Sequence, residues 1–416
     1  MPAAPADVGI DYAARFNALD AWLCEHQALW RAKPFTTPTL PWESDWPELS
    51  RWLRSRTLEQ ADAAHNQPHL LEAPAPFTEL ARQAHELTQL PIWYGATPAA
   101  TPERLSRHIP GRKWQQIQQF ANCTQQRWQG PTQHWLDWCA GKGHLGRLLA
   151  WQGGQPLTCL EQDAELNRQG VELGQQLGIT SQHLDADVLN PASWSLLHAE
   201  HSVVALHACG QLHMTLLQQA AAQHCRQLAI SPCCYNRINS DAYQPLSQRA
   251  RNSALRLTRT DLGLPLQESV TASQRVRSLR DRSMAWRLAF DLWQRQARAV
   301  DSYLPTPSRP ESALHGDIAT FCRDLAAHHG LQLQEPHDWQ QLEQQGWQRL
   351  AAVRNLELLS GLFRRPLEVW LLLDRVLFMQ ECGYQVQAGQ FCPQQLTPRN
   401  LLILAERLDT QEIPTL

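Results

Sequence analysis

The sequence predicts an α/β fold: a doubly wound, mainly parallel sheet whose last strand is antiparallel. Three observations predict it. Between Gln133 and about Tyr235, apolar runs of strand length alternate with helical segments, the pattern of successive βαβ units. Within that region HWLDWCAGKGHLG places glycines at 141, 143 and 146, between a strand and a helix. That G-x-G-x-x-G spacing marks a nucleotide-binding turn. Near the C-terminus a helix, Arg365–Cys382, precedes two strands joined by a tight connection, which suits an antiparallel closing strand.

In chain order, residues 1–105 read as a helical N-terminal region. Apolar periodicity predicts helices over Tyr12–Trp30, Trp46–Glu59 and Phe77–Leu90. Pro34, Pro38, Pro41 and Pro47 separate the first two. A loop rich in Pro, Thr and Ala, Gly95–Pro102, follows. Residues 106–240 form the Rossmann-like core, entered by a helix at Lys113–Arg127. Its strands are expected at His134–Trp138, Leu157–Leu160, His183–Asp185, Val203–Leu206 and Leu228–Ser231. Its helices are expected near Leu145–Trp151, Ala164–Leu177 and Leu212–Gln223. Residues 241–345 read as an Arg-rich helical insertion with a Pro-rich linker, Pro305–Pro310. Residues 346–416 complete the sheet with strands at Tyr384–Gln390 and Asn400–Ala405.

Bulk properties narrow the class. A hydrophobic fraction of 43% over 416 residues supports a large core. The net charge of −3 decides nothing about nucleic acid, so local charge must. The first residues, MPAAPADVGIDYAARF, lack the basic and apolar runs of a signal peptide, and no run of about 18 apolar residues predicts a membrane span. Eleven cysteines in a chain this long fit a reduced, cytoplasmic protein better than a disulfide scaffold.

The glycine turn fits two cofactor classes, NAD and S-adenosyl-L-methionine (SAM). Gly141 would permit the tight turn, Gly143 the approach of backbone to ligand, and Gly146 close helix packing. Ala140 belongs to the same turn. Glu161 ends the second strand, with Asp163 beside it, where a carboxylate can bind both ribose hydroxyls. Three features favour SAM. Asp137, at the end of the first strand, suits the cationic methionine end. The third strand ends in Asp185-Ala186-Asp187-Val188, where Asp187 could accept from the adenine amine. The paired C-terminal strands fit a class I methyltransferase sheet.

In such a sheet the ligand lies at the carboxyl ends of the strands. The fourth ends in Leu206-His207-Ala208-Cys209-Gly210 and the fifth in Ser231-Pro232-Cys233-Cys234-Tyr235. Both ends are expected to neighbour the first strand. His207 is the candidate base, because an imidazole titrating near neutrality can take a proton from a hydroxyl or amine. For Ser231–Tyr235 four readings stay open. It is similar to the Asn/Asp-Pro-Pro-Tyr loop of amino-methyltransferases, with a polar acceptor and an aromatic that stacks on a base. Pro232-Cys233 is similar to the Pro-Cys nucleophile of cytosine-C5 methyltransferases. His207, Cys209, Cys233 and Cys234 could hold a metal, although no paired CxxC spacing accompanies them and no ligand set is assigned. Or the cysteines are buried fillers. The candidate catalytic set is His207, Cys209, Ser231, Cys233 and Tyr235.

DWCAGKGHLG, LHACG and SPCCY together resemble one group of class I methyltransferase domains. The group includes methyltransferase-like proteins, among them the glutathione-S-transferase C-terminal-domain-containing protein, and it is similar to the tRNA 2′-O-methyltransferases of the acceptor stem. Gly111-Arg112-Lys113 and Thr397-Pro398-Arg399-Asn400 also look like family segments. The resemblance implies a class I methyltransferase fold, SAM as methyl donor, a cytoplasmic setting and RNA as substrate. Where the tRNA enzymes carry a His after the paired cysteines, Tyr235 stands here.

RNA has a second, local argument. Between Arg249 and Arg298 lie eleven arginines, Arg275, Arg277, Arg280 and Arg282 among them, against four acidic residues. An insertion so basic could bind phosphates; the alternative is a solvated helix with ordinary i,i+4 pairs. Trp286 and Trp293 are spaced for one buried helix face. The expected function is SAM-dependent methylation of tRNA or rRNA. The alternatives are an NAD-type oxidoreductase, a non-catalytic methyltransferase-like RNA-binding protein, and a small-molecule or protein methyltransferase.

Overall fold

The computed structural model describes residues 9–96, 98–267, 274–310 and 314–407. They divide into two compact units. One takes the described parts of Met1–Cys24, Leu87–Gln267 and Pro366–Leu416; the other takes those of Glu25–Glu86 and Glu268–Arg365. The four sequence segments follow chain order, whereas each compact unit joins stretches far apart in it.

The first unit is built on seven strands. They are β1 (His134–Trp138), β2 (Leu157–Glu161), β3 (Ser181–Asp185), β4 (His201–Cys209), β5 (Gln227–Cys233), β6 (Tyr384–Gln390) and β7 (Leu401–Arg407). Their order is β3-β2-β1-β4-β5-β7-β6. β1 to β5 pair in parallel, while β7 runs antiparallel to both β5 and β6. This is the expected class I methyltransferase sheet with its antiparallel last strand. One expectation is corrected: β5 lies beside β4 and β7, so only β4 and β2 flank β1.

The central strands are buried on both faces and read as continuous apolar runs. All seven residues of β5 are buried, as are four of the five in β1. β3, at the edge, is polar and half-exposed. The helices placed here are α1 (Tyr12–Glu25), α2 (Gly111–Arg127), α3 (His144–Gly153), α4 (Ala164–Gln175), α5 (Gln211–Ala222) and α6 (Arg364–Glu381). Ile117 and Phe120 of α2 and Leu145, Leu148 and Leu149 of α3 share one core with Trp135, Leu157, Val204, Ala229 and Leu404 of the sheet. The chain order reverses between β1 and β4, which opens a crevice at their carboxyl ends.

The second unit is helical. Gln274–Arg298 packs along Trp339–Gly361, and Gly346 makes the approach possible. A Cβ there would stand 2.8 Å from that of Ala289. Trp286 and Trp293 are core residues, as their spacing predicts, and each indole donates inward, to Glu343 and to the Gln334 carbonyl. Two predicted N-terminal helices are broken. Tyr12–Trp30 is interrupted at His26. Trp46–Glu59 is divided because Thr57 caps a new helix, Leu58–Ala64, in a reciprocal box with Gln60. No described helix is long and apolar enough to cross a membrane.

Candidate active site at the carboxyl edge of the sheet

Non-glycine residues with positive φ mark strain that folded structure must hold in place. Of the six described, three sit on this edge: Cys139 after β1 (φ 57°), His207 in β4 (φ 77°) and Cys234 after β5 (φ 44°).

The glycine turn is held from below. Asp137, 3% exposed, accepts from the Gly146 N–H at 2.9 Å. Burial raises its pKa to about 7, although the Gly146 hydrogen bond and the charge of Arg147 pull the other way. Asp137 thus anchors the start of α3 and does not line the crevice; the expectation that it meets a cationic ligand directly is corrected. Gly146 has the predicted packing role, since a Cβ there would press on Leu157 and Asp137. Gly141 has the predicted turn role, with its φ in the left-handed region, whereas the ligand approach expected of Gly143 is not what its surroundings show. A Cβ at Gly143 would stand 2.9 Å from Cys159 Sγ and 3.0 Å from the His183 ring, so this glycine serves packing. Gly141 (φ 57°) has open space where its Cβ would be, so its backbone is the one a ligand can approach. Ala140 closes the turn, its carbonyl accepting from the Gly143 N–H.

Glu161 faces this turn. One carboxylate oxygen accepts from the Gly141 N–H at 2.9 Å and the other from the Asp163 N–H. Asp163 is exposed and caps α4, its Oδ1 accepting from the Glu165 and Leu166 N–H groups. Asn167 ties the ends of β2 and β3 together, donating to the Glu161 carbonyl and the Asp185 carboxylate. Asp187 is exposed and accepts from the Leu189 N–H. Val188 is buried beside it.

The β4 and β5 ends are locked together. A bulge shifts the β4 register between Leu206 and Cys209, after which Cys209 pairs with Cys233. Gly210 (φ 54°) packs so tightly on the Arg237 backbone that no Cβ would fit. Its N–H donates to the Cys233 carbonyl, and that of Gln211 to the Arg237 carbonyl. The bulge turns His207 outward, where its ring is accessible. Surrounding protein and the charge of Lys113 lower the His207 pKa, which favours the neutral imidazole a base requires.

Three thiols converge beside it. The Sγ atoms of Cys209, Cys233 and Cys234 all lie within 4.8 Å of one another, and those of Cys209 and Cys233 are 3.5 Å apart. Hydrogen bonds from Cys209 and Cys233 push the Cys234 thiol down, and Arg237 and Arg399 act in the same sense. Of the four metal-ligand candidates in the sequence, the structure groups these three; His207 is outside the group.

Two other candidates leave the rim. Ser231 is 2% exposed and donates to the Arg399 carbonyl, so it does not meet a target amine. Tyr235 is 1% exposed, with His213 edge-on at 6.1 Å and the Arg375 guanidinium 5.1 Å from its ring centre. It is a support for the loop and not a base-stacking surface. Beneath it runs a network that the sequence reading did not find. Arg375, fully buried, donates to His213 Nε2 and Tyr243 Oη. His213 must then carry its proton on Nδ1, which donates to the Ala208 carbonyl in the bulge. Asp374 accepts from Tyr243, Leu246 and Ser247. The charged pair Asp374-Arg375 inside an apolar helix was a readable signal.

The eleven arginines are divided between the two units. Arg249, Arg251, Arg256 and Arg259 belong to the sheet unit and the other seven to the helical unit. Arg282 donates to the Leu314 carbonyl, Arg287 to those of Thr306 and Pro307, and Arg295 pairs with Asp291. Arg275, Arg277 and Arg280 are exposed on the first turns of their helix.

Residues 112–241 match a family model described as a methyltransferase domain. No curated protein matches the chain. Solved structures similar to it include YjhP from E. coli, with 14% identity, a TM-score of 0.24, and coverage of 31% of this chain and 55% of that one. The plantazolicin methyltransferase BpumL in complex with SAH gives 11%, 0.23, 42% and 59% in the same order. An O-methyltransferase family protein from Burkholderia thailandensis gives 9%, 0.29, 96% and 96%. The chain thus spans little more than half of the first two. Residues 112–241 are similar to a methyltransferase domain.

Proposed function

We propose that this chain transfers the methyl group of SAM to a nucleophilic acceptor at the carboxyl edge of its sheet. The observation that carries this reading is the pairing of Gly141 with Glu161: an open, left-handed glycine backbone facing a strand-end carboxylate, within a segment that matches a methyltransferase domain. Glu161 would hold the ribose hydroxyls, Asp187 the adenine amine, and the Gly141 backbone the methionine end. When bound, SAM supplies an electrophilic methyl group. His207, accessible at the β4 bulge, is placed to take the acceptor's proton. Calorimetric titration with SAM, with NAD as control, tests the assignment. SAM should bind with the affinity falling at least about tenfold in Glu161→Ala, the loss of one or two charge-assisted hydrogen bonds. Binding of NAD without SAM would move the chain to the oxidoreductases.

For the acceptor we infer RNA. The exposed Arg275, Arg277 and Arg280 support it, as cations that can meet phosphates. Changing all three to Glu should abolish methyl transfer to an RNA pool and leave SAM affinity unchanged. Unaltered RNA methylation would refute the inference.

A further inference from the structure

We propose that Cys209, Cys233 and Cys234 form a zinc site at the carboxyl edge of the sheet, three protein ligands with a fourth position open. The geometry comes first. Tetrahedral zinc with Zn–S bonds near 2.3 Å sets its sulfurs about 3.8 Å apart. The three Sγ atoms already lie within 4.8 Å of one another, the Cys209–Cys233 pair at 3.5 Å, so side-chain adjustments of a fraction of an ångström would complete the set. Among the described residues, this is the one group of three or more His, Cys, Asp or Glu ligand atoms that converges in this way.

The backbone is arranged to bring them there. Adjacent strand ends supply one thiol each, at the paired positions Cys209 and Cys233. Cys234 follows on the same strand end, where an extended chain would send its side chain to the opposite face. Its φ of 44° turns it back toward the other two. That conformation is costly for a residue with a Cβ, and the Gly210–Arg237 packing and the Arg237 N–H to Cys234 carbonyl bond hold it. Plain packing fails to explain the cluster, because Cys209 and Cys234 are both half-exposed. A Cys209–Cys233 disulfide would leave Cys234 unused. Three thiolates on zinc carry a net single negative charge, and the positive charges of Arg237 and Arg399 act on Cys234 in the sense that would offset it. Three ligands with one vacant position is the arrangement of zinc sites that bind an exogenous group. The vacancy would take water or the nucleophilic atom of an incoming ligand.

Zinc content of the full chain, purified reduced and without chelators, tests this without cofactor or acceptor, so its result is separate from that of the methyl-transfer reading. The wild type should hold one zinc per chain. Replacing zinc by cobalt should give the thiolate charge-transfer and intense visible bands of a tetrahedral site. Cys234→Ser, at a half-exposed position, should weaken zinc binding by more than the ~10–100-fold that changes around a ligand shell produce. Cys382→Ser, a half-exposed cysteine outside the cluster, should not alter it. A reduced wild type that takes up no zinc, or zinc retained undiminished in Cys234→Ser and in the separate variant Cys209→Ser, would overturn the proposal.

Discussion

Asp137→Asn offers a sharp test of how the glycine turn is held. The carboxyl is buried beneath α3, and burial lifts its pKa from 3.8 to about 7. Below pH 4 the native and unfolded chains both carry the proton, and the group contributes nothing to the pH dependence. Between pH 3.8 and about 7 the unfolded chain has released its proton and the native chain retains it. Native stability therefore falls as pH rises, by about 1.4 kcal/mol per unit. Above pH 7 both states are ionised and the loss levels off at roughly 4 kcal/mol. An Asn at 137 keeps an oxygen to accept from the Gly146 N–H and has no charge to desolvate.

The variant should accordingly match the wild type near pH 4 and exceed it increasingly up to pH 8. Hydrogen–deuterium exchange of peptides spanning 134–153 reads the opening of this region directly. Comparing the two proteins at each pH cancels the intrinsic pH dependence of exchange. The ratio of protection factors should rise from about one at pH 4 toward the order of a thousandfold at pH 8, the equivalent of 4 kcal/mol. A ratio that stays flat, or a variant less protected at pH 8, would show that Asp137 is ionised at no cost and that the anchoring argument is wrong.

Two further substitutions probe the supports of the same edge. Gly146→Ala places a Cβ 2.6 Å from Leu157 Cδ1 and 2.9 Å from Asp137 Cβ; overpacking of this kind costs about 1–3 kcal/mol and should appear as a lower urea midpoint. Arg375→Met removes the cation from the buried network with Asp374, His213 and Tyr243, which should cost about 3–5 kcal/mol. His213 then loses its donor at Nε2 while the Ala208 carbonyl still holds the Nδ1 proton, so the Nε2 chemical shift should move with the tautomer retained; an Nε2 shift unchanged by the substitution would mean that Arg375 does not bond the ring.

The fold was legible because its strongest signals are local. Each central strand is a short apolar run, and the glycine spacing fixes where β1 turns into α3. The sequence predicts a doubly wound sheet with an antiparallel last strand and sets the ends of both β4 and β5 beside β1; of the two, only β4 lies there. β4 lies between β1 and β5, and no local pattern encodes which strands pair. The broken N-terminal helices show the opposite failure: the Thr57–Gln60 box was present in the sequence, and helical periodicity ran across it.

The site was legible as a set of segments and not as a set of roles. Spacing alone identified Asp137, Gly141, Glu161, His207 and the paired cysteines, because each lies at a strand end. It could not tell which of them face the crevice, since that is decided by φ values and by contacts between distant residues. Gly141 and Gly143 look equivalent in the motif, yet only Gly143 has β2 and the His183 ring against its Cα. Tyr235 looks like a substrate platform until Arg375, 140 positions away in sequence, is found over its ring. Cys234 looks like a filler beside Cys233 until a left-handed turn sets it against Cys209. In the last two cases the deciding contact arises because α6, β4 and the loop after β5 meet at one edge. The residues that position this site thus include Gly210, which packs on the Arg237 backbone, and His213, which joins the Ala208 carbonyl to Arg375.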